Sequence, residues 1–265
     1  MTHELRSPAS DAAWPELVRQ VRARTPARLL AARVGVSYDS ETQLRLREDH
    51  AAARDAVRTE FDLELHLGRE FVAAERILVV STRAASKREY LLRPDLGRRF
   101  SDAATAQVAA QCPPGADLQI AIGDGLSVTA VATQVPQLLP VLQREAERRG
   151  WRMGQTFAIR YCRVGLMNQI GELLRPEVLV LLIGERPGMA TAESLSAYMA
   201  FRPHAGHTDA DRNLISNIHV RGTNVAAAAV RIADLAQQMM QQRTSGTAVK
   251  EIFAPDAARL PGGER

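Results

Sequence analysis

Val178–Gly188 reads VLVLLIGERPG. Its first six residues are uninterruptedly apolar, and the run then ends on a glycine, a charged pair and a Pro-Gly turn. An apolar run this short fits a strand covered on both faces, because such a strand has no solvent side to carry polar residues. Strands of that kind occur where helices layer a parallel sheet, so strands and helices should alternate on either side of this one. Upstream they do. Leu118–Ile122 forms a buried strand and leads through the turn Gly123-Asp124-Gly125 into a helix that continues to Arg149 and ends at Gly150. Phe157–Tyr161 gives a second strand and Gln169–Leu174 a short helical piece. Downstream, Tyr198–Arg202 is a weaker strand. In the last helix, Val225, Ala229, Ile232, Ala236 and Met239 fall at spacings of four, three, four and three, which sets one face against the body. The expected class is α/β: a Rossmann-like, largely parallel sheet with flanking helices, preceded by an N-terminal helical segment.

That preceding part divides further. Residues 1–38 read as a partly mobile arm, with one short helix (Trp14 to Arg24) that stops at Thr25-Pro26, where the pre-proline residue is pushed out of the helical region. Residues 39–100 read as a helical segment and connection. Leu46, His50, Ala53 and Val57 share one helix face there, and Ser40 or Asp39 can cap its first turn. His50 is expected as a partly buried, hydrogen-bonded residue rather than a catalyst. Ser101–Cys112 is an Ala-rich helix ended by Pro113, Pro114 and Gly115, and it opens an α/β domain over residues 101–253. Residues 254–265 read as a flexible tail.

Composition narrows the function classes. With 265 residues and 46% apolar content the chain can bury a large core. Its longest apolar stretch is far below the ~20 residues of a membrane-spanning helix. Glu4, Asp11 and Glu16 interrupt the N-terminal apolar residues, which argues against a secretory signal and for a cytoplasmic location. Cys112 and Cys162 are then expected as free thiols. The six histidines are scattered, and only His204 and His207 lie close together, so no metal site is expected. A net charge of +4 from 34 basic and 30 acidic residues is a weak field; Arg98-Arg99 and Arg148-Arg149 read as solvated surface, and nucleic acid is not an expected partner.

In open parallel sheets, ligands bind beyond the carboxyl ends of the strands. Three segments occupy such places. Ile122–Ser127 (IGDGLS) offers two glycines, the Asp124 carboxylate and Ser127 as a helix cap. Tyr161–Gly165 (YCRVG) brings Arg163 and Gly165 to a strand end, where they suit an anionic or amide-rich ligand. Ile183–Gly188 (IGERPG) fixes Glu185 directly after the buried strand, either as a functional carboxylate or as a surface partner for Arg186. No G-x-S-x-G elbow, Walker A loop or Cys/His nucleophile pair accompanies them. A ligand-holding subunit suits this pattern better than a self-sufficient enzyme.

RPDLGRR, GDGLS, YCRVG followed by QIGE, LLIGERPGM, ESLSAY, DRNLISNI and RGTNVAAAAV follow one another in this order, and together they resemble the light chain of ethanolamine ammonia-lyase. The resemblance runs from about Asp39 to the last helix. It implies an adenosylcobalamin enzyme that converts ethanolamine to acetaldehyde and ammonia, with catalytic side chains in a TIM-barrel large subunit and this chain closing over the corrin in a hetero-oligomer. It makes residues 101–253 the cobalamin-holding domain and assigns the cofactor contacts to Val164, Glu185 and Leu214. At the last position the family often has Cys, so an apolar side chain replaces a sulfur here. No Asp-x-His-x-x-Gly motif is present to displace the lower base, so the resemblance implies base-on cofactor. It also adds the interior of a bacterial microcompartment as an alternative location. The rival from another class is a stand-alone Rossmann-like nucleotide-dependent enzyme, with Gly123–Ser127 as its phosphate turn and Asp124 near the ribose; a basic nucleic-acid-binding module is a weaker third.

Overall fold

The computed structural model describes residues 13–24, 29–31, 33–188 and 191–251. The first residues of the expected arm and the expected tail lie outside them. Helix α1 (Ala13–Arg24), a hairpin of β1 (Arg33–Val34) and β2 (Ser37–Tyr38), and α2 (Ser40–Arg58) come first. Of the two candidate caps of α2, Asp39 takes the role, accepting the Thr42 amide at 2.7 Å. No residue of α2 is buried. Leu46, Ala53 and Val57 reach half-burial and His50 is exposed, which corrects the expectation of a partly buried histidine. The helix lies outside the body, so an apolar spacing that marks a face does not by itself bury that face.

The body follows: α3 (Leu63–Leu67), α4 (Arg69–Ala74), β3 (Leu78–Ser81), α5 (Lys87–Leu92), α6 (Asp102–Gln111), β4 (Leu118–Gly123), α7 (Val128–Arg148), β5 (Phe157–Arg160), α8 (Met167–Leu174), β6 (Val178–Gly184), β7 (Leu195–Phe201), β8 (Asn213–Ile218) and α9 (Val225–Gln242). Six strands form one sheet in the order β3-β5-β4-β6-β7-β8. Its first four are parallel, β7 pairs antiparallel with β6, and β8 pairs antiparallel with β7. The expectation of a largely parallel sheet therefore holds for one half only. A parallel crossover takes about a dozen residues or more, and the connection 185–194 is too short for one, so β7 must run back along β6.

Alternation along the central strands explains their uniform apolarity. Leu118, Ile120 and Ile122 of β4 and Val178, Val180 and Leu182 of β6 pack into one layer with residues of α7 and α9 such as Val131, Leu138 and Ile232. Ala121, Leu179 and Leu181 fall on the other face with Val108 of α6 and Ile170 of α8. Each face of these strands is covered, so apolar residues fill both, with Gln119 of β4 the one polar side chain, its amide donating to the Ile120 and Gln155 carbonyls. Helix α7 continues through Pro136 and Pro140, whose lost hydrogen bonds are offset by the complete burial of Leu138 and Leu139 on the sheet. Among the described residues, no helix is long and apolar enough to cross a membrane.

Candidate functional site

From β4 the chain passes through α7 to β5 on one side, and from β5 through α8 to β6 on the other. The carboxyl end of β4 is thus the switch point of the sheet, where the two connections diverge and leave a crevice. The three segments singled out in the sequence meet there.

The turn after β4 forms the floor. Asp124 is fully buried: one carboxylate oxygen accepts Lys87 Nζ at 3.1 Å, and the other accepts the Cys162 amide at 2.8 Å. Lys87 Nζ also donates to the Gly125 carbonyl at 2.9 Å. Burial pushes the Asp124 carboxyl up, while Lys87 and the Cys162 amide pull it back toward the charged form. Gly125 has φ +55°, and a Cβ there would stand 2.3 Å from the Gly184 carbonyl oxygen. Its role is close packing of the β4 turn on the end of β6. The nucleotide-enzyme reading of this turn fails on the same facts, since a buried, ion-paired Asp124 cannot reach a ribose.

The same cluster fixes the loop after β5. Tyr161 adopts φ +61°, a left-handed conformation uncommon for a bulky residue, and the turn is held from several sides. Tyr90 donates its hydroxyl to the Cys162 carbonyl at 2.9 Å, the Arg163 amide donates to the Gly97 carbonyl at 2.9 Å, and the Tyr161 hydroxyl donates to Glu60 at 2.8 Å. Both cysteines are free and buried. Burial raises the Cys162 thiol well above its usual range, so it is no nucleophile at neutral pH.

The opposite wall comes from the antiparallel half. Glu185 accepts Ser194 Oγ at 2.7 Å on one oxygen, and Ser196 Oγ at 2.7 Å and the Asn217 amide at 2.8 Å on the other. Its hydrogen-bond partners are these three, not Arg186. An ionised carboxylate has about four acceptor positions, so one remains. Leu214 on β8 pairs in register with Tyr198 of β7 and is 45% exposed.

Between floor and wall lies a groove of about 410 Å³ that Val164, Glu185 and Leu214 all line, together with Leu126, Arg163 and Ile183. Val164, Glu185 and Leu214 lie far apart in sequence and line this one groove. No histidine is among the lining residues, and the groove offers apolar surface with one organised acceptor rather than a nucleophile and base. Residues before 101 contribute as well, through Lys87 and Tyr90. The sequence reading missed Lys87, whose burial nothing local announces, and it missed the Glu185 partners. For Ser194 and Ser196 a signal existed: two serines at i and i+2 in a strand face the same side.

A second cleft, of about 560 Å³, adjoins the groove and shares Arg163 and Val164 with it. Arg98, Arg99, His207 and Arg212 also line it. Arg98-Arg99 thus borders a cleft, and of the other arginine pair Arg149 is ion-paired to Glu145 and Asp234, so neither pair is wholly solvated surface. The rings of His204 and His207 lie 3.9 Å apart, and burial foremost lowers the His207 imidazole below its ordinary range. Among the described residues no three His, Cys, Asp or Glu side chains are grouped to hold a metal.

A groove at the switch point of a mixed α/β sheet, lined by residues from three separate segments, is the place where α/β proteins hold their ligands. The family model described as "Ethanolamine ammonia-lyase light chain (EutC)" matches residues 15–250, and the chain belongs to that family. It is 40% identical over 235 residues to the ethanolamine ammonia-lyase small subunit of Clostridium perfringens, covering 89% of this chain and 78% of that one. The small subunit of Clostridioides difficile is 39% identical over the same shares, and that of Fusobacterium nucleatum 38% identical over 86% and 76%.

Proposed function

We propose that this chain holds adenosylcobalamin against the large subunit of an ethanolamine ammonia-lyase, a TIM barrel that carries the catalytic side chains for converting ethanolamine to acetaldehyde and ammonia. One observation carries the reading: Val164 and Glu185, from the segments after β5 and β6, and Leu214 of β8 line a single groove. A corrin is a broad apolar face rimmed by amides. Val164, Leu126, Ile183 and Leu214 offer the apolar contact, and the free acceptor position of Glu185 suits a rim amide. When bound, cobalamin supplies the radical chemistry, and the protein's part is to orient and shield it. An open groove on this chain leaves the other face of the macrocycle to the large subunit. The sequence has no Asp-x-His-x-x-Gly motif, which supports a base-on cofactor in this reading.

The test is a titration of adenosylcobalamin into the assembled two-subunit complex. A hydrogen bond to a charged group contributes about 1.5–3 kcal/mol, so Glu185→Ala should weaken binding by roughly tenfold to a hundredfold. Unchanged affinity in an assembled variant would refute the assignment of Glu185.

A further inference from the structure

We infer that His219 is a positioning residue for Glu185: its imidazole holds the Asn217 backbone in the orientation from which the Asn217 amide reaches the carboxylate. The effect on ligand affinity rests on the cobalamin reading, whereas the effect on Asn217 does not.

The stretch Asn217-Ile218-His219-Val220-Arg221-Gly222-Thr223 ends the edge strand β8 and turns toward α9. Leu195 of β7 pairs with Ile218 and Ala197 with Ile215, so β8 carries one residue more than its partner across this stretch. Such a bulge re-aims a backbone group away from the ladder. Here the group is the amide of Asn217, a residue with φ +60°, and it donates to Glu185 Oε1 at 2.8 Å. A left-handed residue costs free energy even when it is asparagine, and it persists where its surroundings fix it.

His219 supplies the fixing contact. It is 2% exposed, although its neighbours Val220 and Arg221 stand open to solvent at the tip of the turn. The Arg221 amide donates to His219 Nδ1 at 3.2 Å, and a backbone N–H can only donate, so Nδ1 carries no proton. The ring hydrogen therefore sits on Nε2, which donates to Asn217 Oδ1 at 2.7 Å. The Asn217 carbonyl is tied separately: it accepts the Thr223 amide at 2.8 Å, while the His219 amide donates to the Thr223 carbonyl at 3.1 Å. A Cβ at Gly222 would stand 2.3 Å from that Asn217 carbonyl oxygen, so the missing side chain lets the turn close over it. Side chain and carbonyl of Asn217 are thus both held from the turn, which directs its amide toward Glu185. The other two donors to Glu185, Ser194 and Ser196, are hydroxyls at the start of β7. Only the third comes from a left-handed residue, and that is the one a neighbouring side chain can control.

The experiment uses the assembled two-subunit complex and two substitutions that divide the contacts of the imidazole. Glutamine carries its side-chain amide to the reach of Nε2, so it keeps the bond to Asn217 and gives up the Arg221 amide, which turns to water. Asparagine ends at the reach of Nδ1, so it keeps Arg221 and loses Asn217. His219→Asn should speed hydrogen exchange of the Asn217 amide, read by mass spectrometry, about tenfold and weaken adenosylcobalamin binding about tenfold, the upper end for one neutral hydrogen bond. His219→Gln should leave both within about twofold of wild type. Because His219 acts through Glu185, adding His219→Asn to Glu185→Ala should weaken binding less than about twofold further. Equal effects of the two substitutions, unchanged exchange at Asn217 in His219→Asn, or a full tenfold loss on the Glu185→Ala background overturn the inference and return His219 to a packing role. Should His219→Asn fail to assemble, a glutamine variant that loses either property overturns it as well. If exchange responds as expected while Glu185→Ala itself leaves affinity unchanged, the positioning of Asn217 stands and the cobalamin reading of Glu185 is what fails.

Discussion

Asp124 at the end of β4 and Glu185 at the end of β6 are carboxylates on adjacent strands, each holding one side of the same groove, and they do so by different means. Asp124 is fully buried and neutralised by a buried lysine, with a second oxygen on a backbone amide. Glu185 is partly exposed, engages no lysine or arginine, and is organised by two hydroxyls and one amide. Asp124 cannot meet a ligand and serves to hold Cys162 and, through it, the loop that presents Arg163 and Val164. Glu185 is anchored just as firmly but keeps an acceptor free. The floor of the groove is therefore a matter of folding, and the wall a matter of recognition as well.

The largest effect that can break this distinction is at Lys87. Removing one partner of a buried pair leaves an uncompensated charge and costs about 3–5 kcal/mol. Lys87→Met should lower unfolding stability in urea by about that amount, and Asp124→Asn in the same background should recover part of it. A loss below about 1 kcal/mol for Lys87→Met would show that the pair is not what holds the loop.

Glu185 sharpens the comparison at the next scale. Its three donors tie the end of β6 to β7 and β8, so Glu185→Ala leaves two serine hydroxyls and a backbone amide without their acceptor, at about 1–3 kcal/mol for a buried unsatisfied group. An alanine variant therefore mixes folding with binding. Glu185→Gln separates them. Its carbonyl oxygen keeps Ser196 and Asn217 and its amide donates to Ser194 Oγ, but the free acceptor is lost. Unfolding stability should stay within about 0.5 kcal/mol of wild type while adenosylcobalamin affinity falls; a glutamine variant with full affinity would make Glu185 purely a wall residue.

The same contrast shows how much was legible in the sequence. Val178–Gly184 appears as a strand with the bounds read from its apolar run, because burial on both faces leaves a pattern in the residues themselves. β8 was not read as a strand. It is an edge, with only Ile215 and Ile218 buried among polar neighbours and an irregular register against β7, so neither alternation nor a continuous run marks it. Direction was equally hidden: the sequence shows strands, and the parallel or antiparallel sense comes from connection length. At the site, Val164, Glu185 and Leu214 were available through the motifs that resemble the light-chain family, and their meeting in one groove follows from the switch point at β4. The Lys87–Asp124 pair was not legible, since its partners lie far apart and a lysine beginning a helix normally reads as solvated.

Leu214 gives the smallest expected effect and tests the wall at its most exposed point. Leu214 stands 45% exposed on an edge strand, opposite Tyr198. Exposed substitutions away from caps and buried polar groups usually change stability by no more than about 0.5 kcal/mol, a factor of about two to three. The wall is organised through Glu185 and its three donors, Ser194, Ser196 and Asn217, and Leu214 is not one of them. Leu214→Cys should therefore assemble with the large subunit normally and bind adenosylcobalamin within about threefold of wild type, since the resemblance implies that the shorter sulfur side chain is accepted at this position. Isothermal titration of the assembled variant reads this directly. A tenfold or greater loss would show that the corrin contact at this position needs the full leucine side chain, and the wall would then discriminate by its apolar rim as much as by the Glu185 carboxylate.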